Sequence, residues 1–187
     1  MALDANLDHI VFMKVGRHAG ETFEQIIERK RREYDAAGCI FWGYGGGTMH
    51  PITRVQPFAR MRVEHGERIS IVMQEILSRH PDTEVFAQEY SRDGVHWEPI
   101  PQGVRVRGSR YALVLNEIQH GELDINLGEY QVGTGPSEGK DAETYIRGRV
   151  DKGCLTRVKV IENASPEDLT KVHFAAMLEE PYAVVLR

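Results

Sequence analysis

The segment that decides the fold class is residues 58–73, which read FARMRVEHGERISIVM. Apolar side chains alternate with polar ones over residues 59–63 and again over residues 69–73, and His65-Gly66 separates the two runs. Such alternation is typical of two strands joined by a turn. A helix is the alternative, because one helical stripe would hold Ile69, Val72, Met73, Ile76 and Leu77. We predict a hairpin, which favours a fold rich in antiparallel sheet.

The chain downstream of this segment carries further strand signals. Residues 84–90 (EVFAQEY) and 95–100 (VHWEPI) flank an Asp93-Gly94 turn, a pattern typical of a β-hairpin. Residues 104–107 (VRVR) and 110–118 repeat the pattern, and residues 111–115 (YALVL) are apolar enough for a central strand. We therefore predict an antiparallel β meander in the middle of the chain.

The N-terminal part predicts a strand, a helix and a second strand. Residues 10–15 (IVFMKV) and 39–42 (CIFW) are short apolar runs rich in β-branched and aromatic residues. Between them, Thr22 and Gln25 have the spacing of a capping box, and Gly38 supplies a helix stop. This order makes a βαβ-like unit.

The C-terminal part predicts a helix followed by a strand. Ser165-Pro166-Glu167-Asp168 combines a capping hydroxyl, a first-turn proline and two acids, which favours a helix start. The helix would bury a stripe of Leu169, Val172, Ala176 and Met177, and residues 182–186 (YAVVL) would form the last strand. Together these elements predict one α+β domain over residues 1–187.

Length and composition exclude several classes of protein. The 187 residues are 41% hydrophobic and 27% charged, as in an ordinary globular domain. A net charge of −5 gives no overall field for an extended nucleic acid, and no apolar run is long enough to span a membrane. Two cysteines, Cys39 and Cys154, cannot make a disulfide framework, so we expect a cytoplasmic protein. The sequence leaves open whether the chain forms a homo-oligomer.

The strongest functional signal is residues 43–50 (GYGGGTMH), here called the first glycine loop. Four glycines in five positions let backbone amides approach an anion, while Trp42 and Tyr44 offer faces for a base and Arg54 a positive charge. It is not a dinucleotide fingerprint, because Thr48 stands where that motif needs glycine. The predicted ligand-binding residues here are Trp42, Tyr44, Gly45, Gly46, Gly47, Thr48, His50, Arg54 and Gln56. The alternative is a tight turn whose aromatics pack in the core.

Residues 133–140 (GTGPSEGK) form a second glycine loop. A phosphate-loop motif would need glycine at Thr134 and Ser or Thr at Asp141, so that motif is excluded. Together with Tyr145, Arg147, Arg149 and Lys152, the loop could still act as a lid that brings positive charge over a bound anion. The predicted ligand-binding residues here are Lys140, Arg147 and Arg149. The alternative is a plain surface loop.

A run of mixed charges, residues 28–33 (ERKRRE), lies within the N-terminal helix. Its mixed signs favour a solvent-exposed helix face over a patch that faces an anion. The second interpretation stays open.

Metal and covalent chemistry have no motif here. The eight histidines include no H-E-x-x-H or H-x-H, neither cysteine sits in a reactive pattern, and no cofactor motif is present. We expect no intrinsic metal. His50, close to Arg54, is the acid/base candidate if the protein is an enzyme.

These observations favour a module that senses or sequesters a small phosphate-bearing ligand of nucleotide type, such as a nucleotide signal. An enzyme of nucleotide or phosphate-ester chemistry that uses His50 is the first alternative. A protein-interaction domain with an exposed strand edge or Trp97 surface is the second.

Overall fold

Ten strands and three α-helices form the fold in the computed structural model, which describes residues 3, 5–18, 20–80, 85–147 and 150–187. The strands are β1 (His9–His18), β2 (Ile40–Gly43), β3 (Ser70–His80), β4 (Glu89–Ser91), β5 (Glu98–Pro99), β6 (Tyr111–Leu115), β7 (Gln119–Ile125), β8 (Tyr130–Val132), β9 (Lys152–Arg157) and β10 (Thr170–Leu186). The helices are α1 (Phe23–Ala37), α2 (Gln56–Glu64) and α3 (Ala142–Ile146). A π-helical segment, Pro51–Val55, runs directly into α2.

Strand β10 joins the sheet together. Its first half pairs with β3 and β7, and its second half pairs with β6 and β4. The main strand order is β2-β6-β10-β3-β1-β9-β8, and among the described pairs only β1 with β3 is parallel. The predicted α+β class with a mainly antiparallel sheet is confirmed.

The sheet is covered on both faces, which explains the unbroken apolar run in β1. Val11 and Met13 pack into the same cluster as Ile26 of α1 and Phe58 of α2. Their neighbours in β1, including Phe12, pack into a second cluster with residues of α3. Side chains alternate between the two faces along a strand, and both faces are covered here, so both sets are buried.

The predicted N-terminal helix is confirmed in its caps as well as its body. The Thr22 side chain accepts from the Gln25 backbone N–H, the Gln25 side chain accepts from Thr22, and Gly38 ends the helix with φ of 73°. Strands β1 and β2 flank α1 as predicted, but they do not pair with each other. Strands β3, β10 and β6 lie between them.

The hairpin predicted around His65-Gly66 is half wrong. Downstream, β3 is a strand as expected, but upstream the chain is helical from Pro51 to Glu64. Both prolines of this stretch occupy first-turn positions, where a missing N–H costs nothing. The buried residues Val55, Phe58 and Ala59 then form a stripe with helical spacing.

The helix predicted after Ser165 is also wrong. Only a 3₁₀ turn, Pro166–Asp168, forms there, and β10 begins at Thr170. The apolar residues that suggest a helical stripe are used in a strand that pairs on both sides, with β3 and β7. Tertiary pairing thus overrides the local start signal.

The predicted meander is only partly present. β4 and β5 make the hairpin around Asp93-Gly94. Residues 104–107 contribute an isolated bridge, Phe86 to Arg107, rather than a strand. Glu84, at the start of a predicted strand, lies outside the described residues.

We expect Gly133→Ala to destabilise the fold. A Cβ at Gly133 would lie 2.7 Å from both Cε2 of Phe58 and Oγ1 of Thr156, and Phe58 is fully buried. Relieving such overpacking costs about 1–3 kcal/mol of the free energy of unfolding, measurable by urea denaturation. The control is Gly47→Ala, whose Cβ meets nothing within 4 Å. Equal stability of the two variants would contradict the prediction.

Candidate functional site

A cavity of about 360 Å³ lies between β1, α1, β2, residues 105–109 and the start of β9. We call it the central cavity. Its lining includes Trp42, Gly43, Tyr44 and Gly45, so the first glycine loop forms one of its walls. Cationic side chains form much of the rest: Lys14, Arg29, Lys30, Arg105, Arg107 and Lys152.

Positive charge predominates in the central cavity. Six cationic residues line it, whereas the only acidic residue in the described lining is Asp151. Two more carboxylates lie close to the lining: Glu21 pairs with Arg29, and Glu33 pairs with Arg29 and Lys30. The local charge is therefore positive in a chain whose net charge is −5, and the cavity favours an anionic occupant.

Lys30 has a structural role in the cavity wall. Its Nζ donates to Oε2 of Glu33 at 2.7 Å, to the Phe41 carbonyl at 2.7 Å and to the Arg105 carbonyl at 3.1 Å. Burial lowers the pKa of Lys30 to about 8, although Glu33 opposes that shift. All three N–H groups are used, so Lys30 ties α1 to β2 and to residue 105 instead of offering a donor to a ligand.

Arg29 is held in place by two carboxylates. Its Nε and Nη2 donate to the two oxygens of Glu21 at 3.0 Å each, and Nη1 donates to Glu33 at 3.3 Å. Hydrogen bonds and charge from Glu21 and Glu33 outweigh burial and raise the pKa of Arg29. The guanidinium is a fixed positive charge at the edge of the cavity.

Lys14 and Lys152 keep hydrogen-bonding capacity. Nζ of Lys14 donates to the Ile146 carbonyl at 2.7 Å, and Nζ of Lys152 lies 3.3 Å from Oδ2 of Asp151. An ammonium has three N–H donors, and each lysine has this one acceptor among the described residues. They are the two lysines of the lining best able to bind an anion.

The aromatic wall is rigid. Trp42 and Tyr44 are buried, and the Tyr44 hydroxyl donates to the Met49 carbonyl at 2.6 Å. The ammonium of Lys152 lies 4.9 Å from the centre of the Tyr44 ring. Burial raises the pKa of Tyr44 well above its usual range. Both predicted stacking residues therefore line the cavity while also packing in the core.

The other half of the first glycine loop lines a separate cleft. This loop cleft, of about 400 Å³, lies between the two glycine loops. The predicted residues Gly47, His50 and Arg54 line it together with Thr134, Pro136 and Ser137 of the second loop. The structure thus divides the predicted site between two cavities.

Five other predicted residues line neither cavity: Gly46, Thr48, Gln56, Lys140 and Arg147. Gly46 packs on the Tyr111 ring, and the Thr48 carbonyl accepts from Tyr44. Gln56 is buried and donates to the Pro181 and Ala183 carbonyls, so its amide is used within the fold. Lys140 and Arg147 are exposed, and Arg147 pairs with Glu143. Arg149 lies outside the described residues.

His50 is held by the fold through both ring nitrogens. Nδ1 accepts from the Thr53 backbone N–H at 3.3 Å, and Nε2 lies 3.1 Å from the Tyr111 hydroxyl. With Nδ1 as acceptor, the neutral ring carries its proton on Nε2 and donates to Tyr111. Neither partner is a carboxylate that could activate the ring as a base.

The charge run of α1 is not a uniformly solvent-exposed face. Glu28, Arg31 and Arg32 are exposed as predicted, but Lys30 and Glu33 are buried. Arg29 and Lys30 line the central cavity. The spacing of helical turns divides the run between solvent and cavity, so the predicted solvent-exposed face describes only part of it.

Sequence reasoning missed three of the six cations in the central cavity, namely Lys14, Arg105 and Arg107. Lys14 lies in a strand, and Arg105 and Arg107 belong to a segment predicted as a strand of the meander. Their guanidinium carbons lie 5.2 Å and 5.1 Å from the Phe86 ring centre. No local motif links positions about ninety residues apart in the chain; the sheet topology brings them together.

Comparison with protein-family models, curated proteins and solved structures gives no match to this chain. In the part of the chain that the structure describes, no helix is long and apolar enough to cross a membrane. Function must therefore be inferred from the geometry of the two cavities.

Proposed function

We propose that this protein binds a small phosphate-bearing ligand of nucleotide type in the central cavity, and that it senses or sequesters the ligand without converting it. The observation that carries the proposal is the set of six cations around a cavity with an aromatic wall. Lys14 and Lys152 bind the phosphate, and Trp42 and Tyr44 contact the base or sugar. Phosphate oxygens pair well with ammonium and guanidinium donors, and aromatic side chains pack against bases.

The size of the cavity supports a compact ligand. Its volume of about 360 Å³ is near the lower end of the roughly 300–1,000 Å³ typical of small-molecule sites. Such a space suits a mononucleotide better than a long polyphosphate or an oligonucleotide. Asp151, which also lines the cavity, would accept from a base amine or a sugar hydroxyl.

An enzyme is the weaker alternative. Nucleotide or phosphate-ester turnover with His50 as acid/base needs a ring nitrogen aimed at substrate, and both nitrogens have partners in the fold. A protein-interaction surface at Trp97 is also less favoured, because the Arg187 guanidinium carbon lies 4.1 Å from the Trp97 ring centre and covers it.

Calorimetry with Lys152→Met tests the proposal. The panel holds inorganic phosphate, mono-, di- and triphosphates of adenosine and guanosine, cyclic mono- and dinucleotides, and the parent nucleosides. We expect a phosphorylated compound to bind more tightly than its nucleoside. Lys152→Met should weaken that binding roughly 10- to 150-fold, the loss of one hydrogen bond to a charged group.

Lys159→Met is the matched control. It removes the same charge from an exposed lysine outside the cavity lining, so affinity should stay within about twofold of the wild type. Thermal melts check that both variants fold. The proposal fails if no phosphorylated compound binds or if Lys152→Met and Lys159→Met bind alike. Product formation in overnight mixtures would favour the enzyme.

A further inference from the structure

Arg54 differs from three other half-buried arginines, Arg29, Arg62 and Arg157, which form ion pairs. Arg29 lies 3.0 Å from Glu21, Arg62 lies 3.8 Å from Glu67, and Arg157 pairs with Asp8. Arg54 is also half-buried, yet none of the described residues forms an ion pair or a side-chain hydrogen bond with its guanidinium. A partly desolvated cation without a counter-charge carries a free-energy cost that an anionic ligand would remove.

The second glycine loop is built against this guanidinium. Gly135 has φ of 85°, and a Cβ there would lie 3.4 Å from both Cδ and Nε of Arg54. The left-handed conformation favours glycine at this position, and a Cβ there would be in van der Waals contact with the Arg54 side chain. The second loop therefore covers the stem of Arg54 instead of standing away from it.

Backbone hydrogen bonds hold the second loop in shape. The Val132 N–H donates to the Lys140 carbonyl at 2.9 Å, and the Gly139 N–H donates to the Val132 carbonyl at 2.8 Å. Within the loop, the Glu138 N–H donates to the Gly135 carbonyl at 3.0 Å. A wall fixed before binding loses little conformational entropy when a ligand enters.

The loop cleft offers hydroxyl groups and no acid. The described lining of the cleft contains Arg54 and His50 but no Asp or Glu. It also contains four hydroxyl side chains: Thr53, Thr134, Ser137 and Tyr145. These four hydroxyls form no hydrogen bond with any of the described residues. One guanidinium with several surrounding hydroxyls suits a tetrahedral oxyanion, which has more acceptor positions than a carboxylate.

We propose that the loop cleft is a second, independent anion site, which binds a phosphate group through Arg54 and the hydroxyls of Thr53, Thr134, Ser137 and Tyr145. The phosphate belongs to a small phosphate monoester or is free inorganic phosphate, because both present the same oxygens. The inference does not depend on the proposed function of the central cavity, since the two linings share no residue.

The test uses the whole 187-residue chain with Lys152→Met. This substitution weakens anion binding in the central cavity, so that binding in the loop cleft is observed separately. Inorganic phosphate, ribose 5-phosphate and acetate are titrated and followed by calorimetry and, for the phosphates, by ³¹P NMR. We expect phosphate or ribose 5-phosphate to bind at least tenfold more tightly than acetate. Adding Arg54→Gln should weaken phosphate binding at least tenfold, as expected for a charge-assisted contact.

Two further variants make the result decisive. Arg60→Gln removes the same charge from an exposed residue of α2 outside the cleft lining and should bind like its parent. Ser137→Ala, a change with little risk to the fold, should weaken binding roughly two- to tenfold. Tighter binding of ribose 5-phosphate identifies a monoester site, and the reverse order identifies a free-phosphate site.

Three results would overturn the inference. The first is that neither phosphate compound binds. The second is that the Arg54→Gln and Arg60→Gln variants bind phosphate with equal affinity. The third is loss of phosphate binding in Lys152→Met alone, which would place all anion binding in the central cavity. If no compound of the nucleotide panel binds the wild type but phosphate binding still depends on Arg54, the proposed function is refuted and the inference of a phosphate site in the loop cleft is retained.

Discussion

Lys30→Met is expected to lower the free energy of unfolding by about 3–5 kcal/mol, the usual cost of removing one partner of a buried ion pair. Glu33 is 2% exposed and would lose its 2.7 Å contact with the ammonium. The Phe41 and Arg105 carbonyls would lose a donor as well. Urea denaturation at pH 7 measures the change. A loss below about 1 kcal/mol would show that Arg29 and the Arg105 backbone N–H satisfy Glu33 without Lys30.

The stability difference between the wild type and Lys30→Met should also grow with pH. Burial lowers the pKa of Lys30 to about 8 in the folded chain, below the 10.5 of an exposed lysine. The folded chain therefore releases this proton first, and between those two pH values the unfolded chain holds more protons. Stability contributed by Lys30 rises over that window. Melts of both proteins at pH 7 and pH 10 test this, and a difference that shrinks would contradict it.

Tyr44→Ala is expected to cost about 3–5 kcal/mol of the free energy of unfolding, as for other buried aromatic side chains. Tyr44 is 2% exposed and packs in the largest hydrophobic cluster. The substitution would also remove the ring beneath Lys152. Urea denaturation measures the loss. A stable Tyr44→Ala variant would mean that the aromatic wall belongs to the ligand site alone.

Tyr44→Phe separates the hydroxyl from the ring. It keeps the packing and the face beneath Lys152 but leaves the Met49 carbonyl without its 2.6 Å donor. The expected cost is about 1 kcal/mol. Equal losses in the two variants would assign the effect to the hydrogen bond instead of the ring. Because Tyr44→Phe should stay folded, it is the better variant for binding studies.

Elements specified by local chemistry were predictable from the sequence. The capping box at Thr22 and the left-handed Gly38 act within a few residues, so both ends of α1 follow from the pattern. The Asp93-Gly94 turn is local in the same sense, and β4 pairs with β5 around it.

Elements decided by distant partners were not predictable. The apolar residues of β10 fit a helical stripe as well as a strand, and only pairing with β3 and β7 chooses between them. In the stretch from Pro51 to Glu64, the alternation over residues 59–63 fits a strand, yet the chain is helical and its two prolines lie in first turns.

The candidate site also contains some features that could be predicted from the sequence and others that could not. Tyr44 and Arg54 could be singled out because unusual residue types cluster around the first glycine loop. Their assignment to different cavities depends on α1, β9 and the second glycine loop, which converge only in the folded chain. Lys14 carried no signal, because a single lysine in an apolar strand is common.

The place of β10 in the sheet has a consequence for how the chain folds during synthesis. β10 follows every strand that it pairs with, namely β3, β4, β6 and β7. Until the ribosome has released β10, those strands have edges that cannot pair as they do in the native sheet. The four pairings of β10 must then form late and between distant residues, which slows folding and leaves unpaired strand edges exposed to other nascent chains.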